Sequence, residues 1–349
     1  DQLADRAKGY GMEGITINGN NIQEVYKTIS SVAKKIRKNP RPVLVECMTF
    51  RMRGHEEASG VKYVPKALME EWGKKDPLVN YEQWLQDSGY LSKQDIESKR
   101  RFFASEIQTG LDLAMGYDDV QANTAAELSD VYKSFEPQLV APGSVKKEMR
   151  LVDACSDALD QAMSKWPELV IMGQDVAEYG GVFKVTEGFT AKYGKERVRN
   201  TTLCESAIIG ISLGMSLGKM KSVVEMQFAD FVSCGFNQIV NNLAKIHYRW
   251  AQNADVVIRM PTGAGVAAGP FHSQSTEAWF AHTPGLKVVY PSNPADAKGL
   301  LLAAIEDPNP VMFFEHEALY RSISDQVPEG YYTLEIGKGR VVRQGSDIS

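Results

Sequence analysis

Short, nearly all-apolar segments separated by helix-period stretches limit what this chain can become. They are Leu169–Gly173, Ser222–Phe228, Asp255–Arg259, Leu286–Tyr290 and Val311–Phe314. A strand apolar on both faces belongs inside a parallel sheet covered by helices on both sides. The intervening stretches Leu151–Trp166, Val185–Tyr193, Phe236–Arg249, Thr276–His282 and Ala295–Ile305 read as those helices. Nearer the start, Asn18–Asn21 supplies a turn and a cap. The following helix carries Ile22, Val25, Tyr26, Ile29, Val32, Ala33 and Ile36 on one face. Pro40 and Pro42 end it, and Val43–Phe50 reads as a buried strand. The fold class is therefore α/β, with parallel sheets flanked by helices in two units.

Between the units, Pro65–Gly116 is polar and mostly helical. Trp72, Trp84, Leu85, Phe102, Phe103, Ile107, Leu111 and Leu113 are its expected packing anchors. Glu136–Val145 holds two prolines and a glycine without periodicity, the composition of a linker. The expected division is residues 1–136, a linker at 137–148, a second domain at 149–330, and the start of a further unit at 331–349. A strand at Gly339–Arg343 belongs to that last unit. Both ends read as cut, so the sequence is expected to be a piece of a longer polypeptide.

Composition excludes several classes. Apolar residues at 43% and charged residues at 24% are ordinary for a soluble globular protein. A net charge of −5, with no basic run interleaved with aromatics, argues against nucleic acid as a partner. No membrane span or targeting segment is visible. The four cysteines, Cys47, Cys155, Cys204 and Cys234, form no CxxC pair. That argues against a disulfide framework or zinc site and fits a reducing, cytoplasmic compartment.

Three stretches could carry chemistry. Glu205 precedes a run in which Gly210, Gly214 and Gly218 recur every four residues, placing them along one face of a helix open to close packing. Read locally, Glu205 is an acid complementing the helix dipole. Arg51-Met52-Arg53-Gly54-His55 follows a strand, where open α/β sheets bind ligands, and suits an anion. A solvated charged loop is the plainer reading. Thr262–Pro270 is glycine-rich but lacks both the P-loop lysine and GxGxxG, and His272 directly follows it. There is no GxSxG for a serine hydrolase, and the histidines offer no helical i, i+4 pair for a metal.

Taken together, LCES (203–206), EMQFADF (225–231), the block from Phe271 to Pro310 and the segment Leu151–Asn200 resemble a known β subunit. It is that of the thiamine-diphosphate-dependent first component of 2-oxo-acid dehydrogenase complexes. RPVLVECMTFRMRGH (41–55), within residues 10–136, resembles the C-terminal half of its α subunit. The chain thus looks like a fused α–β polypeptide with a thiamine-diphosphate-binding fold. The start of α and most of the β C-terminal domain would be absent. EMQFADF and LLLAAIEDPNPVMFFE look closer to the branched-chain enzymes than to the pyruvate ones.

The resemblance implies oxidative decarboxylation of a 2-oxo acid such as 3-methyl-2-oxobutanoate, with acyl transfer to a lipoyl group on an acyltransferase core. It implies that Glu205 holds N1′ of the aminopyrimidine, shielded from water by Leu203 and the glycine-faced helix. Leu203, Gln227 and Phe231 would line that pocket. His272 would protonate the lipoyl dithiolane, and His55, with Arg53 or Arg51, would approach the diphosphate. Val256, Ala304, Asp307 and Asn309 would match a monovalent-cation (K+) site. Thiamine diphosphate and Mg2+ are the implied cofactors, and a homodimer the implied assembly. The GDG segment that ligates magnesium is not in this sequence. Glu56 stands where mitochondrial relatives carry a phosphorylated serine, and Gln174 stands where many relatives have an acid, so its role is open. A pyruvate enzyme, a transketolase-like enzyme and a non-catalytic assembly module are the alternatives.

Overall fold

The computed structural model describes residues 2–56 and 58–347. They form two compact units that divide between Val120 and Gln121.

In the first unit, β1 (Glu13–Asn18) and β2 (Val43–Met48) pair in parallel, with Glu13 opposite Val43 and Asn18 opposite Met48. The helix Ile22–Lys38 connects them. Its N-cap is Asn21, whose side chain accepts from the Gln23 and Glu24 amides. The helix forms where its period predicts, yet only Val32 on it is buried, and β2 is at most half-buried. Among the described residues this sheet has only these two strands, too few to enclose an apolar strand on both faces. Three helices follow, Lys66–Gly73, Pro77–Asp87 and Lys93–Met115. Asp76 caps the second, and Ser92 with Asp95 forms a capping box on the third. Phe50 stacks on Trp72 with centroids 5.7 Å apart. The expected anchors Phe102, Phe103, Ile107, Leu111 and Leu113 are exposed instead, because Ile96 is the only buried residue of their helix.

The second unit is built on six parallel strands, β4 (Leu169–Gly173), β5 (Val198–Asn200), β6 (Lys221–Glu225), β7 (Val256–Thr262), β8 (Lys287–Val289) and β9 (Val311–His316). Their order across the sheet is β5-β4-β6-β7-β9-β8. Neighbouring residues alternate between two cores, as a pleated strand requires. Ile171, Val223, Val257 and Phe313 face the helices Leu151–Lys165 and Pro294–Glu306. Met172, Val224, Ile258 and Met312 face the side covered by Ile208, Ile209, Ile239 and Leu243. After β4 the chain goes to β5 on one side and then to β6 on the other. The crevice between the carboxyl ends of β4 and β6 is therefore a topological switch point, where such sheets bind ligands.

Several expectations are corrected here. The single helix over Phe236–Arg249 is a π-helix at Gln238–Leu243 followed by an α-helix at Ile246–Trp250, preceded by a 3-10 stretch at Ala229–Gly235. The helix at Val185–Tyr193 begins only at Phe189, because Gly188 enters it with φ +81°. The glycine face of Glu205–Leu217 is only partly covered: Gly214 has nothing within 4 Å, and the atoms nearest Gly210 belong to the Gln238 side chain rather than to an approaching backbone. Ile211 and Leu217 beside it are exposed. Residues 121–136 lie with the second unit rather than the first. The Lys133 backbone is bracketed by Asn309, whose Oδ1 accepts from its N–H (2.8 Å) and whose Nδ2 donates to its carbonyl (3.0 Å). The end of the expected linker is β3 (Lys146–Arg150), antiparallel to β10 (Ser324–Pro328). Gly339–Arg343 forms no strand, having no pairing partner among the described residues, and Tyr332 is buried in the second unit.

Candidate active site

At the switch point, β4 and β6 approach closely because Gly173 lacks a side chain. A Cβ there would lie 2.8 Å from the Glu225 carbonyl oxygen. The next residue, Gln174, is only 6% exposed, and its Nε2 donates to Glu205 Oε1 at 3.0 Å. Asp175 then turns into the left-handed region at φ +58°. Its carbonyl accepts from the Gly181 amide at 2.8 Å, and its Oδ2 accepts from Gln227 Nε2 at 3.3 Å. Glu205 opens the helix Glu205–Leu217, so it also sits in the favourable field of the dipole. It is half-buried, and Leu203, the expected shield, is 82% exposed. Leu203 precedes the helix and points away from any core, and the cover over Glu205 that the sequence does not reveal is Gln174.

Across the crevice, Phe231 is half-buried and Phe228 buried. The His272 ring meets both edge-on, with centroids 5.4 and 4.7 Å away. The loop that carries His272 is anchored by Asp230. Its Oδ1 accepts from the Ser273 and Gln274 amides (3.2 and 3.3 Å) and from Gln274 Nε2 (3.0 Å). Asp230 Oδ2, His272 Nδ1 and both Glu317 carboxyl oxygens are buried without a hydrogen-bond partner. Burial, and then the nearby Asp230 charge, push the Glu317 carboxyl up to about 7.

Beneath the site, Arg259 is fully buried. Its Nε and one terminal nitrogen each donate to Glu315 at 2.7 Å, and the other terminal nitrogen donates to Glu225 at 2.8 Å. Tyr320 donates to the same Glu315 carboxylate. Burial raises the Glu225 carboxyl above its ordinary range against the pull of Arg259. Read along the strands, these residues were polar interruptions; the register of β6, β7 and β9 brings them together.

In the first unit, the loop after β2 folds back on itself at Gly54, where a Cβ would lie 2.3 Å from the Ser59 carbonyl oxygen. His55, Arg53, Arg51 and Glu56 lie exposed along it. Among the four residues of the expected cation site, Asp307 forms an ion pair with Lys287 and accepts from the Asn309 amide groups. Asn309 is committed to Lys133. The side-chain oxygens of that set are thus taken by the protein's own groups, and Val256 and Ala304 could offer only backbone carbonyls. Among the described residues, no group of three or more His, Cys, Asp or Glu could hold a metal ion. No helix there is long and apolar enough to cross a membrane.

Comparison with known families agrees with this architecture. Residues 147–322 match the transketolase pyrimidine-binding domain, and residues 1–119 match the dehydrogenase E1 component. The 2-oxoisovalerate dehydrogenase β subunit of Bacillus subtilis is 47% identical over 205 residues, 58% of this chain and 62% of that protein. The mitochondrial 2-oxoisovalerate dehydrogenase β subunit of Dictyostelium discoideum is 46% identical, over 58% of this chain and 56% of that protein. The pyruvate dehydrogenase E1 β subunit of Acholeplasma laidlawii is 44% identical, over 57% and 62%. The chain therefore spans about three-fifths of the length of these curated relatives.

A six-stranded parallel sheet with its crevice at the switch point, over residues that match the transketolase pyrimidine-binding domain, is an α/β domain of the transketolase type. The chain belongs to the thiamine-diphosphate-dependent E1 dehydrogenase family, with an α-type segment followed by the pyrimidine-binding domain.

Proposed function

We propose that this chain serves the oxidative decarboxylation of a 2-oxo acid, with passage of the acyl group to a lipoyl group on an acyltransferase core. The observation that carries the reading is the set of residues at the sheet's carboxyl edge: Glu205 held by Gln174, Gln227 held by Asp175, and His272 against Phe231. They fit an aminopyrimidine. Glu205 exchanges a proton with a ring nitrogen, Gln227 offers an amide, and Phe231 gives an apolar edge. Thiamine diphosphate, when bound, supplies the electron sink that decarboxylation requires. Leu203, exposed on the chain alone, would meet the cofactor only from the rim.

His272 has an unpartnered ring nitrogen and sits on an anchored loop, which suits a proton donor to a second substrate. His55 and Arg53, exposed on the loop after β2 in the first unit, have the charge and hydrogen-bonding groups to meet an anion such as a diphosphate. The substrate we read as a branched-chain 2-oxo acid, in line with relatives such as the Bacillus subtilis subunit, with pyruvate the alternative in line with the Acholeplasma laidlawii subunit, and the cellular setting read from the cysteines is cytoplasmic. Self-association is supported by the unpacked Gly214, Ile211 and Leu217 surface.

The test uses the full-length protein carrying this chain. Thiamine diphosphate with magnesium is expected to raise its melting temperature, and 3-methyl-2-oxobutanoate to be turned over faster than pyruvate with an artificial acceptor. No thermal shift and no turnover of either acid would refute the proposal. Preference for pyruvate would correct the substrate alone.

A further inference from the structure

Gln174 and Asp175 follow β4 directly and reach two different elements, the start of the helix Glu205–Leu217 and the residues after β6. A regular strand would send two successive side chains to opposite faces of the sheet. Here the left-handed turn at Asp175 breaks that alternation. A non-glycine residue held at positive φ costs of order 1–3 kcal/mol and persists only where its surroundings impose it. The Gly181 amide on the Asp175 carbonyl and Gln227 on its carboxylate are what impose it here.

We infer that Gln174 and Asp175 form a positioning pair that fixes Glu205 and Gln227 with respect to each other, so that Glu205 presents one defined oxygen to the bound ring. The inference rests on the reading of Glu205 given above. A carboxylate has two equivalent oxygens and a soft terminal torsion. Gln174 supplies the hydrogen bond that breaks this equivalence, leaving Oε2 for the ligand. It does so from a nearly covered position, so the donor itself has little freedom to move. A glutamine can donate to Glu205 but cannot take its proton. An acid in the same place would have to share one, because two carboxylates at that spacing resist joint ionisation. The amide therefore confines proton exchange to Glu205 and the ring. Gln227 is tied to the same corner through Asp175, so a shift of one would be felt by the other.

The test follows hydrogen–deuterium exchange at C2 of the bound thiazolium by acid quench and NMR, on the full-length protein with thiamine diphosphate and magnesium. Cofactor affinity is measured separately from the quench of tryptophan fluorescence. Loss of the hydrogen bond to the Glu205 carboxyl is expected to slow exchange about tenfold to hundredfold in Gln174→Leu. Affinity should stay within about threefold in that variant, as befits a role in orientation rather than binding. The isosteric Gln174→Glu should move the pH profile of exchange by about one unit to higher pH, which a merely structural defect would not do. Asp175→Asn keeps a weaker, uncharged acceptor and tolerance of the left-handed region, and should slow exchange less than Asp175→Gly. Asp175→Gly keeps the turn but not the acceptor, and should slow exchange severalfold. Parent-like exchange at every pH in both Gln174 variants, alongside loss of exchange in Glu205→Gln, would overturn this inference and leave the proposed function standing. Normal exchange in Glu205→Gln, or no cofactor binding by the parent, would overturn the proposed function and this inference with it.

Discussion

Glu317 is the residue whose replacement should stabilise the protein, and only above a definite pH. The residue is 7% exposed, neither carboxyl oxygen has a partner, and Asp230 lies close by. Its folded-state value of about 7 exceeds the ordinary 4.5, so between those values the folded protein binds more protons than the unfolded chain. Stability must therefore fall as pH rises from about 4.5 through about 7, and the loss is complete above that. The interval of 2.5 pH units, at ~1.4 kcal/mol each, sets a ceiling of roughly 3.4 kcal/mol. The cover over the group is shallow, and solvent screening through it trims the effect to about 1–2 kcal/mol. Glu317→Gln removes the titration and places an amide donor beside Asp230 Oδ2, which lacks a partner. At about 2–4 °C per kcal/mol for a unit of this size, the variant should melt about 3–6 °C above the parent at pH 8. The difference should vanish near pH 4.5. Differential scanning calorimetry on parent and variant at both values decides the matter, since all other titrations cancel. An equal difference at both pH values, or a less stable variant at pH 8, would refute the reasoning.

Three other outcomes follow from the same structure. Arg259→Met strands Glu225 and Glu315 without a counter-charge and should cost about 3–5 kcal/mol, seen as a melting point lower by about 6–20 °C at pH 7; a change under about 2 °C would contradict the buried network. Asn309→Ala removes both bonds to the Lys133 backbone and should raise amide exchange at residues 131–134 by about tenfold or more, with unaltered protection there counting against the clasp. His272→Ala should spare decarboxylation assayed with an artificial acceptor more than acyl transfer to a lipoyl domain, and equal losses would remove its assigned role.

What the sequence discloses and what it hides divide along a physical line. Helices and strands follow local period and capping, so Asn21 as a cap and the apolar runs of β4, β6, β7 and β9 are legible to within a few residues. Burial is not local. The apolar face of Ile22–Lys38 and the aromatic anchors of Lys93–Met115 have the right period and remain exposed, because period states which residues share a face and not what lies opposite. The site shows the same division. The resemblance offers Leu203, two positions away, as the cover for Glu205, whereas Gln174, 31 positions away, holds it. The signal that could have found Gln174 was present: it is the first residue past a buried parallel strand, and so is Gln227 almost, two past β6. Strand ends at a switch point converge whatever their separation in sequence, so an amide directly after one such strand is a candidate partner for an acid after the next. The same rule explains why Asp230, also just past β6, anchors the loop of His272. In a parallel sheet, chemistry is most legible as a list of the residues that follow each strand, taken in spatial rather than chain order.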